Sequence, residues 1–321
     1  MGLSTMKVFS DFMYSAATES IRQQIELFNA ATANALQLRT VGNTGDFNHE
    51  VSYSAISNLM RRRNAYGSGA VTPTNLAQMD HVAVKIAGGT APVEFQPQQF
   101  TWIQRNPEEA GVVIGEQVAK GVVADEVNTA ILSLVAAMSG NTDVVHDATA
   151  GKLNLNGLNK GASKFGDRAM DLVTWIVHST PMHDLFDTAL TNSNQLFEFG
   201  TVRVVQDGFG RRFIMTDSPA LYVPEAGGVG TDDNYHTIGL VSGAAVVEDN
   251  DDYYGTIEEK TGDENIQRIF QAEYTFNLGL KGYSWDTATK SPTDAALGTA
   301  ANWSKIATSN KDTSGVLVTS L

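Results

Sequence analysis

The longest periodic stretch of the chain lies between Asn106 and Gly140. Ile114, Val118, Val122, Val127, Ile131, Leu134, Val135 and Met138 recur there at three- and four-residue spacing, the pattern of one helix face. Asn106 stands at the N-cap position, Pro107 at the first helical position, and Glu108 and Glu109 put negative charge in the first turn. Gly140 occupies the position where helices commonly end in a left-handed turn. Thirty-odd residues at ~1.5 Å rise make a rod of roughly 50 Å. Gly111, Gly115 and Gly121 weaken its first half by about 1 kcal/mol each relative to alanine. That half needs outside support, from a sheet of the same chain or from a neighbouring subunit. A coiled coil would need sustained heptads with charged flanks. Beyond the first turn only Glu116, Lys120, Asp125 and Glu126 carry charge here, so a spine packed on a sheet is the better account.

The rest of the pattern is organised around this rod. Thr18 to Leu38 reads as an amphipathic helix with Ile21, Ile25, Phe28, Thr32 and Leu36 on one side, preceded by a short apolar-aromatic segment from Val8 to Tyr14. Residues 41–80 are polar and turn-rich. Val82, Val84 and Ile86, then Val93 and Phe95, alternate on either side of Gly88-Gly89 and predict a two-stranded excursion too thin to own a core. Beyond the rod, 141–154 reads as a loop, 156–167 as a helix, 172–177 as a buried strand and 182–190 as a helix. Thr201–Val205 and Arg211–Thr216 predict a hairpin around Asp207-Gly208-Phe209-Gly210. His236–Val247 is apolar and strand-like, 248–260 is acidic, and Ile266–Lys281 alternates over the length of one long strand. The tail from Asp286 is small and polar, with Trp303 and Ile306 as anchors.

Composition narrows the classes. With 321 residues there is ample chain for a core, and 42% hydrophobic content is ordinary for a globular protein. No run approaches eighteen uninterrupted apolar residues, so no membrane span is expected, and Met1–Tyr14 lacks the pattern of a secretory signal. Cysteine is absent, which removes disulfides, thiolate metal sites and thiol nucleophiles. A net charge of −14 argues against a protein that grips phosphates. The charge is uneven. Residues 1–106 carry eight Lys/Arg against seven Asp/Glu (net +1), and residues 107–321 carry fourteen against twenty-nine (net −15). This is either chance surface composition or an arm that lies on the acidic body of another copy.

Candidate chemistry is sparse. Gly208-Phe209-Gly210 lacks the third glycine of a nucleotide loop and joins two strands. His178, His183 and Asp184 fit a metal site or an ordinary strand-to-helix junction, and the junction is the simpler account. Asp249-Asn250-Asp251-Asp252 has Tyr254 where a calcium loop needs glycine, and reads better as a solvated acidic loop. No nucleophile elbow, P-loop or zinc-protease motif occurs, so neither a cofactor nor a catalytic residue is expected. Arg61-Arg62-Arg63 is the densest basic run. It is open to three readings: a solvated tip, a protein contact, or a nucleic-acid contact with only Tyr66 as an aromatic platform.

The order of docking helix, excursion, spine helix, α/β body and return strand resembles the major capsid proteins of tailed bacteriophages. The local text runs the same way. Phe100-Thr101-Trp102-Ile103-Gln104-Arg105-Asn106-Pro107-Glu108 leads into the spine, and Gly166-Asp167 precedes a strand ending Ile176-Val177-His178-Ser179. Gly210-Arg211-Arg212-Phe213-Ile214-Met215-Thr216-Asp217-Ser218 follows, with Lys290-Ser291-Pro292-Thr293 and Ala301-Asn302-Trp303 in the tail. The resemblance covers roughly residues 8–306. It implies an α+β protein of the tailed-phage capsid (Johnson) fold, with an N-arm over 1–40 and an E-loop over 41–100. A P-domain would span 101–155 and 260–321 with its spine helix at 107–139, and an A-domain 156–259. The implied function is a shell subunit that self-assembles as hexamers and pentamers into an icosahedral virion capsid, in the host cytoplasm, around weakly contacted double-stranded DNA. Portal, scaffolding and decoration proteins are the implied partners, with scaffolding on a separate protein and no membrane. An encapsulin-type compartment of the same fold and an α/β hydrolase-like enzyme are the alternatives. In this reading Ile21, Ile25 and Phe28 of the arm and Arg61, Arg62 and Arg63 of the loop tip meet neighbouring subunits. Removal of residues 1–38 is then expected to leave a folded body.

Overall fold

A computed structural model describes residues 3–41, 45–53, 61–73, 78–95, 106–191, 204–206, 211–224, 233–262 and 264–321. Two helices, α1 (Leu3–Ala31) and α2 (Pro107–Ser139), pack along each other. The helix expected over 18–38 starts earlier, absorbing the Val8–Tyr14 segment, and stops sooner. Thr32 is followed by Ala33 and Asn34 at φ of 53° and 56°, left-handed positions that turn the chain back. Leu36 and Leu38 therefore lie in a strand, β1 (Leu36–Thr40). The Asn29 side chain fixes this reversal by donating to Leu38 O at 2.7 Å and accepting from Leu38 N at 2.9 Å.

The helix pair lies on a seven-stranded sheet of order β1-β11-β13-β3-β2, where β2 is Phe47–Tyr53, β3 Gln78–Gly89, β11 Ala245–Asp249 and β13 Gln267–Leu280. Period-two alternation turns Leu36, Leu38, Val82, Val84, Ile86, Ala245, Val247, Phe276, Leu278 and Leu280 to one buried side with Ile131, Leu134 and Met138 of α2. Two further strands, β4 (Val93–Phe95) and β12 (Tyr254–Lys260), flank the first half of β13. There Met13, Ala110, Phe270 and Ala272 form a smaller core under the start of the spine.

A second sheet runs β5-β16-β10-β6-β8-β7. Its strands are β5 (Val145–Ala148), β6 (Leu172–Val177), β7 (Val204–Gln206), β8 (Arg212–Met215), β10 (Asn234–Val241) and β16 (Gly315–Ser320), and β9 (Tyr222–Val223) pairs with β10. Helix α3 (Leu155–Ser163) packs on β16, and α4 (Ser179–Thr191) follows β6. The buried Thr174 hydroxyl donates to Thr32 O at 2.8 Å and ties this sheet to the end of α1. In the tail, β14 (Tyr283–Trp285) pairs with β15 (Trp303–Lys305), and Trp285 meets Trp303 edge-on at 4.8 Å beside a one-turn helix, α5 (Asp294–Leu297). Ile306 is only partly buried.

Several expectations change. The excursion is built from β2 and β3, not from β3 and β4, which both pair with β13 instead. Gly88 and Gly89 make no turn. A Cβ on Gly88 would lie 2.5 Å from the Tyr274 ring, so the glycine admits a close neighbour. The 236–247 region holds the ends of two strands that enter different sheets, while 141–154 and 248–260 contain β5 and β12. β11 and β12 join the spine sheet and β16 joins the other, so the sheets do not divide at residues 155 and 260. The Asp207–Gly210 turn lies outside the described residues. Gly140 ends α2 in a right-handed conformation (φ −69°, ψ −15°), and the Asn106 side chain bonds Glu109 at 3.0 Å and makes no cap bond to the backbone. Contrary to the sequence reading, the 108–139 segment is long and apolar enough to cross a membrane. Yet 67% of its most apolar window is buried inside the fold, where α1 and the sheet cover it.

The two helices approach closely at Gly115. A Cβ there would stand 2.6 Å from Met13 O and 3.2 Å from Ala17 N, whereas nothing lies within 4 Å of one on Gly121. Gly115→Ala is expected to push the helices apart and destabilise by about 1–3 kcal/mol. Gly121→Ala should stabilise by up to about 1 kcal/mol through helix propensity. Urea titration of the two variants checks the opposite signs.

Candidate assembly surface

The β2–β3 hairpin leaves the spine sheet with its core only at the root. Val82, Val84 and Ile86 are buried, whereas Asn48, Glu50, Val51, Gln78 and Asp80 are exposed on the outer half. The register pairs Phe47 with Val84 and Tyr53 with Gln78, so the tip lies beyond that last pair, and residues 61–73 are its described part. Root contacts hold the direction of exit. His81 Nε2 lies 2.6 Å from Leu280 O, Val82 N donates to Ser284 Oγ at 3.1 Å, and Lys290 Nζ bonds Asp46 Oδ2 at 3.2 Å. A groove of about 560 Å³ runs beside this root on the sheet face away from α2, lined by Arg39, Glu50, His81, Glu248 and Lys281 among others.

Every described residue of the tip, 61–73, is exposed. Arg61, Arg62 and Arg63 stand there in water, and Tyr66 is 99% exposed beside a turn in which Asn64 Oδ1 accepts from Tyr66 N at 3.0 Å. With Val51 and Val71 also exposed, the hairpin presents apolar surface that its own chain does not cover. By sequence Tyr66 offers only an aromatic platform beside a basic run. Its exposure on a self-insufficient hairpin is the stronger signal.

The arm residues behave differently. Ile21 (6% exposed) and Ile25 (7%) are buried in the chain's own core, and Phe28 packs half-buried against it. The premise that this stripe lacks a partner in its own chain does not hold. A subunit contact at these positions would need α1 to lift from α2.

The acidic segment from Glu248 is partly committed within the chain. Glu248 Oε1 accepts from Arg39 Nε at 3.0 Å, and Glu259 Oε2 from Arg268 Nη2 at 3.0 Å. Asp252 Oδ1 accepts from Thr275 N at 2.8 Å, and Asp251 sits 3.9 Å from Arg22 Nη2. Glu258 and Glu264 are exposed. Nearby Asp249 has its carboxyl held above the usual range, chiefly by burial. The loop is stapled to β13 and does not form a calcium cage. His178 Nε2 lies 3.7 Å from Asp217, His183 is exposed, and Asp184 accepts from Lys152 at 2.6 Å, so those three do not converge. Among the described residues, no group of three or more His, Asp or Glu has metal-holding geometry.

Comparison with known proteins places this geometry. Residues 5–317 match the family described as Gp13-like, major capsid protein 13-like. No curated protein sequence matches. Among solved structures, the chain is similar to the capsid asymmetric unit of cyanophage Pam1, with 10% identity over 88% of this chain and 87% of that one and a TM-score of 0.54. It is likewise similar to the capsid of Ralstonia phage GP4, with 10% identity over 89% and 86% and a TM-score of 0.51. At such identities the likeness is one of fold.

Two deletions separate the arm from the tip. Loss of residues 1–35 removes Ile21 and Ile25, each worth about 1.5–3 kcal/mol when buried, and bares the spine, so the product should be insoluble or unfolded, reversing the sequence expectation. Replacing 54–77 with Asn-Gly should close Tyr53 on Gln78 in a tight turn and leave the circular dichroism and melting temperature near wild type.

Proposed function

The chain belongs to the Gp13-like family of major capsid proteins, and we propose that it closes its shell as hexamers and pentamers held together by the β2–β3 hairpin. Its role is structural, as a bacteriophage capsid subunit that self-assembles and resides in the virion. The proposal concerns how it does so. The observation that carries it is the hairpin, on which Tyr66 is almost wholly exposed and Val51 and Val71 are half exposed. Laid over a neighbouring copy, the hairpin would bury these residues and act as the E-loop of the fold. In the same reading α1 is the N-arm, the spine sheet with α2 the P-domain, and the sheet of β6 and β10 the A-domain. Interface geometry is the function, and it calls for no catalysis.

The remaining partners follow from charge and topology. A body of net −15 over residues 107–321 repels duplex DNA, so the packaged genome is contained without being gripped. Portal, scaffolding and decoration proteins would complete assembly in the host cytoplasm. An encapsulin compartment shares the fold, but the family match is to capsid proteins.

Arg61, Arg62 and Arg63 supply the polar half of the proposed contact. Arginine pairs bidentately with carboxylates, and Glu258 and Glu264 present exposed carboxylates on the acidic body. Each exposed pair contributes only ~0.2–1 kcal/mol, but a shell repeats it at every copy. Changing all three arginines to Glu should leave the subunit folded and weaken assembly, and wild-type assembly should weaken with added salt. Light scattering of the two proteins across salt concentrations is the check. Equal assembly at every salt level would make the arginines a solvated tip.

A further inference from the structure

Glu126 sits in the middle of α2 with 1% of its surface exposed, and neither carboxylate oxygen meets a hydrogen-bond donor. One turn away on either side are Val122 and Ala130, both buried. A charged carboxylate in such a place lacks both water and a cation.

The groups around it deepen the problem. Asp249 stands at the end of β11 on the side that faces α2, and Asp125 is the adjacent residue on the helix. Asp125 Oδ2 accepts from the Tyr274 hydroxyl of β13 at 2.6 Å, so that phenol is committed. Asp251 and Asp252 lie behind Asp249, and Asp294 of α5 adds negative charge beside Tyr274. The cation of this neighbourhood is Arg22 of α1, half exposed and 3.9 Å from Asp251, and it acts on Asp249. Burial first, then Asp249 and Asp125, push the Glu126 carboxyl up from 4.5 to about 8.

We infer that the contact between the spine helix and strand β11 is a proton-held latch, closed while Glu126 is uncharged and loosened when it ionises. The latch joins three elements: α2 carries Glu126, β11 carries Asp249, and β13 carries Tyr274 bonded to Asp125. Ionisation places a second buried negative charge against Asp249, which α2 relieves by moving off β11. The hairpin leaves the same sheet through β3, so a loosened spine reaches the proposed assembly element through β13. The inference concerns the fold of the subunit and holds whether or not the hairpin makes the subunit contact.

The sign follows from linkage. The native state keeps this proton up to about pH 8, while the unfolded chain releases it near the ordinary value of 4.5. Stability from this group is therefore full below about pH 4.5, falls as pH rises, and is flat again above about pH 8. Over that window the unfolding constant should rise about tenfold per pH unit from Glu126 alone. Urea unfolding of the full-length protein and of Glu126→Gln, from pH 5 to 9, reads this directly. The expected result is a steep loss of wild-type stability between pH 5 and 8 and a flatter profile in the variant, which is the more stable of the two at pH 8. Matching profiles would overturn the latch. Infrared difference spectra of the wild type between pH 6.5 and 9.5 serve if the variant fails to fold. A protonated-carboxyl band lost across that interval supports the latch, and absence of the band at pH 6.5 overturns it.

Discussion

A 33-residue apolar helix must be covered along its whole length, and that requirement arranges everything else. The sheet covers one side of α2 with Val84, Val247, Phe276 and Leu278. α1 covers another, close enough that Gly115 meets the backbone of Met13. Once both are in place, the chain entering from α1 must reverse at Ala33-Asn34, lie down as β1, and continue through β2 and β3 on the far side of the same sheet. The long β13 then serves as the common strand that receives β11, β12, β3 and β4.

This arrangement separates what the subunit completes by itself from what it leaves open. The helices and the roots of the strands bury their apolar residues within one chain. The outer hairpin does not, because beyond Val82 it has two thin strands and no third layer. A shell subunit needs both properties: a body rigid enough to define angles between neighbours, and an extension that is stable only in contact. Glu126 adds a condition inside the rigid part. Glu126 is buried in the spine without a hydrogen-bond partner, so the tightness of the body depends on a proton there as well as on surface area.

Much of this was legible in the sequence. The spine was visible because apolar spacing persisted from Ile114 to Met138 behind clear start signals, and β6 and β13 stood out by composition and alternation. The pairing of strands was not, because pairing is a property of three dimensions. Gly88-Gly89 looks like a turn, and only the Tyr274 ring lying on Gly88 reveals a close strand approach. Gly315–Ser320 reads as a tail until β5 and β10 are seen on either side of it. The arm stripe showed that Ile21 and Ile25 need a partner, but not that the spine of the same chain supplies it. The burial of Glu126 was not legible, since burial of a single side chain leaves no periodic mark. The arginines were legible as a basic run near the tip of the excursion, and the structure supplies β2 as the strand that carries the chain out to them.

Electron cryomicroscopy of the purified full-length protein tests the central claim, that the hairpin is completed by a neighbour. The account predicts closed shells in which the outer ends of β2 and β3, 49–53 and 78–81, run out of their own subunit and residues 61–73 rest on the next one. A protein that stays a single 321-residue chain at every concentration, or a shell whose hairpin folds back over its own subunit, would contradict it.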